Sequence, residues 1–348
     1  MNNKEQEKAE IKKILGENPK VNSSPEEAEK KFESHIGFTK EKKKFKDYVE
    51  LYVETGGNFC PTKEIICYSG EPGTGKTTFV QTLNQAMGRG KLQIVPCAGI
   101  KKFNDYSILG DENKPSLAAW AIKQSGCKNP IILLDELEKI EDEQIQRDLI
   151  KLFDLYQNKE GEDKKEYKSK KLFDKYYQME IELDHITFFA TVNFPQDLVP
   201  LLKNGVVMRS IERCNEKDKI KILGLKKDKI KKNIKIIYGE DKEIIPEKII
   251  ELLPKHIHEG GVRQAERALN KIEKEYIYSK EKGKEFSINN PQQWLKENVL
   301  PYQDSFRIEW KHYFLFVMWG IIWILLLIAI VKKIILRKKI KQELTENE

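Results

Sequence analysis

The sequence predicts an α/β fold: a parallel sheet with helices on both faces, followed by a helical subdomain and a C-terminal transmembrane helix. Short apolar runs, among them "EIICYSG", "KLQIVPCA", "NPIILLDEL" and "ITFFATVN", alternate with helical patterns between residues 46 and 213. This alternation is typical of parallel sheets whose strands are joined by helices. Residues 214–300 have helical patterns, and residues 313–331 are uncharged and long enough, as a helix, to span a bilayer.

The N-terminal 45 residues are mostly Lys and Glu, and we expect a charged helical arm that is only partly packed. Within it, "SSPEEAEKKF" has the pattern of a helix start: Ser24 can cap the helix, Pro25 suits its first position and Glu27 can complete a capping box. The order of segments predicted along the chain is the arm (1–45), an α/β subdomain (46–213), a helical subdomain (214–300), a linker (301–312), the transmembrane helix (313–331) and a basic tail (332–348).

The composition disfavours a nucleic-acid partner. The 348 residues carry a net charge of +7, and 34% of them are charged. Six basic and three acidic residues follow Val331, so this tail accounts for +3 and the first 331 residues carry +4. Since both signs are mixed along the chain, we expect a solvated surface without a basic stripe. The five cysteines are scattered without a C-x-x-C pair, which indicates reduced thiols.

The stretch "GEPGTGKT" fits the pattern G-x-x-x-x-G-K-T, after a strand-like run and before a helical one. Its glycines let the backbone curl so that successive N–H groups point at phosphate oxygens, and the helix N-terminus adds partial positive charge. Lys76 can reach the β- and γ-phosphates, and the Thr77 hydroxyl can bind Mg²⁺. The sequence therefore predicts an ATP site whose binding residues are Gly70, Glu71, Pro72, Gly73, Thr74, Gly75, Lys76, Thr77 and Thr78.

Two acidic residues, Asp135 and Glu136, end the apolar run "IILLDELEK". Asp135 can hold the magnesium ion through water, and Glu136 can polarise the attacking water, as general base or as orienter. Asn193 ends the run "ITFFATVN" and can hold the same water or the γ-phosphate; alternatively, it is a turn residue before Pro195. The predicted chemistry is hydrolysis of ATP with Mg²⁺.

These motifs together resemble the AAA+ ATPase module of the Lon protease family. The resemblance is carried by "HIGFTKEKKKFKDYV", "NPIILLDELEKI", "ITFFATVNF", "VPLLKNGVVMRSIE" and "EGGVRQAERALNKI". It implies a P-loop AAA+ fold with a helical lid, a hexameric ring of identical subunits and a protein client.

The same resemblance implies roles for single residues. Asn193 is the first sensor, and Arg263 is the sensor of the lid that contacts the γ-phosphate, unless it is a helix-surface arginine paired with Glu266. Arg209 is the finger that reaches the nucleotide of a neighbouring subunit. Because "KNGV" is inserted before Arg209, Arg213 is the alternative finger.

Two departures from the family shape the functional prediction. The chain passes from the lid-like segment into the apolar stretch without a Ser–Lys peptidase domain, so we expect an ATPase without its own protease. The family also places an aromatic residue before a glycine in its pore loop. Here "FNDYSILG" has Ile108 at that place, with Tyr106 or Phe103 as the candidate substitutes.

The uncharged residues 313–331 are predicted to be a single membrane span, with aromatic residues toward one end. The six basic residues after it favour a cytoplasmic tail, but the ATPase domain must meet ATP, and one span cannot place both in the cytoplasm. We expect the ATPase domain to face the cytoplasm and the basic tail to lie against lipid headgroups.

The sequence thus predicts a membrane-anchored ATPase that remodels or translocates protein clients beside a lipid bilayer, in protein quality control. Two alternatives stay open: a nucleotide-switched membrane scaffold that does little mechanical work, and an ATPase subunit that feeds a separate protease. The mixed surface charge disfavours a nucleic-acid motor.

Overall fold

The computed structural model describes residues 3–58, 64–157, 170–257 and 260–299, and within them the strands form two sheets. The strands are β1 (Ile66–Ser69), β2 (Gln93–Pro96), β3 (Ile131–Asp135), β4 (Lys171–Asp174), β5 (Met179–Glu182), β6 (Thr187–Val192) and β7 (Val207–Ser210). Five parallel strands lie in the order β2-β3-β6-β1-β7, and β4 and β5 form an antiparallel hairpin. The predicted α/β fold with a parallel sheet is confirmed.

Helices precede, connect and follow these strands. They are α1 (Asn3–Gly16), α2 (Pro25–Glu33), α3 (Thr39–Glu54), α4 (Lys76–Ala86), α5 (Leu117–Ser125), α6 (Glu143–Gln157), α7 (Pro200–Asn204), α8 (Glu216–Tyr238), α9 (Glu247–His256), α10 (Arg263–Glu281) and α11 (Pro291–Asn298). A 3₁₀ turn, Leu137–Lys139, follows β3.

Both faces of the parallel sheet are apolar, because successive side chains of a strand point to opposite sides and both sides are covered. In β1, Cys67 lies in a core with Leu134 of β3 and the inner faces of α1, α5 and α6. Its neighbours Ile66 and Tyr68 lie in a second core with α2, α3 and α4. Polar side chains therefore become accessible at the carboxyl ends of the strands, where ligands bind in sheets of this type.

The N-terminal arm is helical, and it is packed more extensively than the sequence suggests. Ser24 caps α2, because its Oγ accepts a hydrogen bond from the N–H of Glu27 at 3.2 Å, and Pro25 takes the first helical position. Ile11 of α1 is buried in the first core, and Phe32 of α2 is buried in the second. The arm thus contributes apolar side chains to both faces of the sheet.

The sequence patterns do not predict β7 or the hairpin of β4 and β5. The residues of β7 are exposed or half-buried, so this edge strand lacks an apolar run. The hairpin alternates exposed and buried residues directly after a long polar stretch. Pairing of β7 with β1 places Arg209 beside Tyr68, next to the predicted site.

The described residues divide into two compact units. The first contains the residues up to Lys229 together with Ile257–Arg267, and the second contains Ile230–His256 and the residues from Ala268 onward. The segment Ile257–Arg267, which the sequence predicts as part of the lid, thus groups with the α/β unit. In the second unit, Leu253 of α9 and Leu269 of α10 are fully buried, and Tyr276 donates a hydrogen bond to Glu240 Oε2 at 2.8 Å.

Within the four described ranges, no helix is both long and apolar enough to cross a bilayer. The predicted span of residues 313–331 lies outside the described residues, as do the predicted linker and basic tail. The membrane span therefore stays a prediction from the sequence.

Candidate active site

The phosphate loop joins β1 to α4 at the carboxyl edge of the sheet. Gly73 (φ +80°) and Gly75 (φ +92°) have left-handed backbones, which glycine adopts without steric cost. Gly75 is the N-cap of α4 and Lys76 its first residue. The unpaired N–H groups of the first helical turn therefore face the centre of the loop, as an anion site requires.

A cavity of about 970 Å³ opens at this loop and brings most of the predicted site residues together. Its lining includes the predicted residues Pro72, Gly73, Thr74, Gly75, Lys76, Thr77, Thr78, Asp135, Glu136, Asn193, Arg209 and Arg263. Gly70 and Glu71 do not line the cavity; their carbonyl groups accept hydrogen bonds from Lys76 Nζ, at 2.8 and 3.0 Å.

Lys76 connects the loop to the tip of β6. Its ammonium group also donates to Asn193 Oδ1 at 2.9 Å, and the residue is only 6% exposed. Burial lowers the pKa of Lys76, while the nearby carboxylates of Glu138, Asp135 and Glu136 oppose that shift. The lysine is thus held by three oxygen acceptors at the place where phosphate groups would bind.

Oxygen atoms that suit Mg²⁺ converge at the end of β3. Thr77 Oγ1 donates to Asp135 Oδ1 at 2.9 Å, and Thr191 Oγ1 donates to the same oxygen at 2.6 Å. Mg²⁺ prefers hard oxygen ligands and retains several of its waters, so one hydroxyl and one carboxylate fit its needs. The structure therefore places the two predicted metal residues, Thr77 and Asp135, in mutual contact.

Glu136 follows β3 in a left-handed turn (φ 59°, ψ 52°), which residues other than glycine rarely adopt. Its Oε1 accepts from Asn193 Nδ2 at 3.0 Å, and its Oε2 lies 2.9 Å from Lys139 Nζ. The hydrogen bond from Lys139 is the main cause that lowers the pKa of Glu136 from its ordinary 4.5, and Asn193 and Arg263 add to it against the opposing effect of burial. The carboxylate is therefore anionic at neutral pH and suited to polarise a water.

Two further residues hold this centre together and are absent from the sequence prediction. Thr191 Oγ1 accepts the backbone N–H of Glu136 at 3.0 Å, and Glu138 Oε1 accepts the backbone N–H of Asn193 at 2.8 Å. They tie the end of β3 to the end of β6. Thr191 could have been predicted from the sequence, because residues two apart in a strand share a face and Thr191 lies two positions before the predicted site residue Asn193.

The segment between α2 and α3 forms another wall of the cavity, and none of the site residues predicted from the sequence lies in it. Phe38 stacks on Phe79 with ring centroids 4.6 Å apart, and His35 packs edge-on against both rings. His35 Nδ1 lies 3.1 Å from Thr82 Oγ1, and burial, assisted by the charge of Lys42, lowers the pKa of His35 to about 4. This neutral, aromatic wall is chemically suited to the base of a nucleotide.

The two candidate finger arginines are both engaged within their own chain. Arg209 pairs with Glu41 Oε2 at 3.0 Å, lies over the ring of Phe45 and has a side chain only 21% exposed. Arg213 is 71% exposed and pairs with Glu71, with Nε donating to Oε1 at 2.7 Å. To contact the nucleotide of a neighbouring subunit, the side chain of Arg209 would have to leave this packed position. Its role as the arginine finger stays a prediction.

Arg263, the predicted sensor of the lid, begins α10 beside the phosphate loop. The N–H of Val262, one residue before it, donates to the carbonyl of Gly73 at 3.1 Å. Glu266, the alternative partner of Arg263, lines the same cavity. The structure therefore brings Arg263 to the phosphate end of the site.

A comparison with protein-family models agrees with this geometry. The model described as "ATPase family associated with various cellular activities (AAA)" matches residues 66–214, from the first residue of β1 to Cys214. The chain contains an AAA ATPase domain. The prediction of an AAA ATPase is thereby confirmed, and the roles of the single site residues stay predictions.

The AAA domain of this chain is similar to Lon proteases, as the sequence motifs indicate. The Lon protease of Aquifex aeolicus is 27% identical over 266 residues, which cover 73% of this chain and 31% of that protein. The Lon protease of Malacoplasma penetrans is 22% identical over 77% of this chain and 34% of its own length. Lon protease 2 of Bdellovibrio bacteriovorus is 27% identical over 60% of this chain and 25% of its own length. The chain thus spans about a third or less of the length of these relatives.

Proposed function

We propose that this chain is a membrane-anchored, Lon-like AAA+ ATPase that binds ATP with Mg²⁺ and hydrolyses it to remodel or translocate a protein client. The observation that carries the proposal is a continuous set of contacts across the strand ends. Lys76 donates to Asn193, Asn193 donates to Glu136, and Glu136 pairs with Lys139, each within 3.0 Å. Such contacts connect the lysine that binds phosphate to the carboxylate that polarises water.

The proposed mechanism divides the chemistry among these residues. The N–H groups of the phosphate loop and Lys76 neutralise and orient the phosphates, and Glu136 orients and polarises the attacking water. Asn193 contacts both Lys76 and Glu136, so a change at the phosphates reaches the water-polarising group directly. Mg²⁺, held by Thr77 and Asp135, would supply neutralisation of the charge that develops on the phosphate oxygens.

Replacement of Glu136 tests this mechanism. In Glu136→Gln we expect the Kd for ATP to stay within about three-fold of the wild-type value. Turnover should fall by about 100-fold or more, because the amide is a poor proton acceptor, which corresponds to about 2.7 kcal/mol of barrier. Isothermal titration and a phosphate-release assay measure the two quantities.

The exposed Glu141 provides the matched control, since Glu141→Gln removes the same charge outside the site. That variant should turn over ATP at the wild-type rate. Unchanged turnover in Glu136→Gln would remove Glu136 from the mechanism.

The resemblance to Lon proteases supports further parts of the proposal. We propose a homo-oligomer, by resemblance a hexameric ring, with a protein client and no nucleic-acid partner. We also propose that residues 313–331 anchor the chain in a lipid bilayer, with the ATPase domain facing the cytoplasm. The lack of a peptidase, the presence of a separate protease and the link to protein quality control stay predictions from the sequence.

A second candidate function, a nucleotide-switched membrane scaffold, is favoured by one observation. Phe103, Tyr106 and Ile108 of the predicted pore loop are 8%, 6% and 2% exposed, and the rings of Phe103 and Tyr106 stack at 4.7 Å. Buried side chains do not grip a polypeptide. Stimulation of ATP turnover by an unfolded protein such as reduced casein would support the remodelling function, and its absence would support the scaffold.

A further inference from the structure

We propose that Glu71 and Arg213 are positioning residues that clasp residues 260–263 onto the phosphate loop and so hold Arg263 at the phosphates. The proposal rests on the proposed ATPase function, and it gives a positioning role to Glu71 of the phosphate loop and to Arg213, which follows β7. All residues involved lie in the first compact unit.

The carboxylate of Glu71 is shared between two chain segments. Its Oε1 accepts from Arg213 Nε at 2.7 Å, and the terminal Nη2 of the same guanidinium also contacts Oε1. Its Oε2 accepts the backbone N–H of Gly260 at 2.7 Å. Since hydrogen bonds to an ionised acceptor are stronger than neutral ones, one side chain of the loop fixes both segments at once.

Two backbone hydrogen bonds, at Gly260 and at Val262, add to the clasp. The N–H of Cys214 donates to the carbonyl of Gly260 at 2.8 Å, and the N–H of Val262 donates to the carbonyl of Gly73 at 3.1 Å. The segment before α10 is therefore bonded to the phosphate loop and to the residue after Arg213. Arg263 follows directly as the first residue of α10.

Two consecutive glycines make this close approach sterically feasible. A Cβ at Gly260 would lie 2.3 Å from Glu71 Oε2, and a Cβ at Gly261 would lie 2.0 Å from the carbonyl carbon and oxygen of Gly73. The second contact involves backbone on both sides, so no side-chain rotation relieves it. Any larger residue at Gly261 must open the clasp and move Arg263 away from the loop.

The geometry predicts an order of effects on turnover. Gly261→Ala should lower kcat most, by about 20-fold or more, because backbone atoms collide. Glu71→Ala should lower kcat by about 5- to 20-fold, whereas Glu71→Gln should lose less because its amide oxygen can still accept from Gly260. Arg213→Ala should have the smallest effect, about 2- to 5-fold, because its ion pair is largely exposed.

The experiment measures kcat, KM and the Kd for ADP of the full-length chain in detergent, for the wild type and each variant. A positioning role predicts lowered kcat with the Kd for ADP within about three-fold, because ADP lacks the γ-phosphate that Arg263 would contact. In an Arg263→Ala background, Glu71→Ala should cause no further fall in kcat. If Glu71 only stabilised the fold, kcat would fall further in that background.

Gly224→Ala is the matched control, because a Cβ there meets nothing within 4 Å in the middle of α8. This variant should keep the wild-type kcat. Wild-type kcat in Gly261→Ala and Glu71→Ala, or full additivity of Glu71→Ala with Arg263→Ala, would overturn the clasp.

A wild-type chain without turnover would overturn the proposed function, and the clasp would then be judged by binding alone. The wild type should bind ATPγS more tightly than ADP, and Gly261→Ala should lose that preference. Equal preference in both proteins, or no nucleotide binding by the wild type, would overturn the clasp as well.

Discussion

At the scale of single residues, Lys139 makes the largest contribution to lowering the pKa of the water-polarising carboxylate of Glu136. It lies 2.9 Å from Glu136 Oε2, and its hydrogen bond is the main reason why the pKa of Glu136 is lowered. A lowered carboxyl pKa keeps the group anionic as the pH falls, so activity that depends on the anion is lost at a lower pH than for an ordinary glutamate. Burial acts in the opposite direction and is unmasked when Lys139 is removed.

In Lys139→Met, we therefore expect the acid limb of the pH profile of kcat/KM to move to higher pH. The wild type should lose activity only below the ordinary carboxyl pKa of 4.5, and the variant should lose it at a higher pH than the wild type. Lys151→Met is the control, because Lys151 pairs with Asp148 on the surface of α6. Superimposable acid limbs for Lys139→Met and wild type would contradict the assignment.

At the scale of elements, the ion pair of Glu41 and Arg209 ties α3 to the edge strand β7. The side chain of Glu41 is 7% exposed and that of Arg209 21% exposed, so both charges have lost much of their hydration and the ion pair offsets that loss. The more exposed Lys44 also lies 3.1 Å from the other oxygen of Glu41. A second pair, Lys40 and Glu212, joins the same two regions but is 78% and 75% exposed. The two pairs differ mainly in burial.

Breaking the buried pair should therefore destabilise the α/β unit. We expect Glu41→Gln or Arg209→Met to lower the free energy of unfolding by about 2–3 kcal/mol, and Lys40→Met to change it much less. The exchange Glu41→Arg with Arg209→Glu should recover part of the loss. Urea unfolding followed by circular dichroism measures these values, and equal effects of the buried and exposed pairs would refute the argument.

Elements whose own residues form an apolar run can be predicted from the sequence. Elements that depend on contacts with distant parts of the chain cannot. Strands β1, β3 and β6 are buried on both faces and stand out as apolar runs. The edge strand β7 does not, because its residues are partly exposed. The phosphate loop and Asp135 are recognisable from spacing, whereas Glu138, His35 and the partners of Arg209 are recognisable only once the chain is folded.

At the scale of the whole molecule, the site draws on residues from His35 to Arg263, all within one compact unit. The N-terminal helices belong to this unit, since α1 and α2 fill opposite cores of the sheet. A chain that ends at residue 299 keeps every described residue of the site. ATP binding is therefore separable from the proposed membrane span.

This separation gives the last prediction. Full-length chain expressed in cells should stay in the membrane pellet after a carbonate wash, and the chain ending at residue 299 should be released while binding ATP with the same Kd. Full-length chain with Leu325→Asp and Leu326→Asp is the matched control, because each charge in the middle of a span costs about 3 kcal/mol. That variant should be released as well, and protease digestion of sealed vesicles reports which side carries the ATPase domain. Release of the unaltered full-length chain by carbonate would show that residues 313–331 do not anchor it.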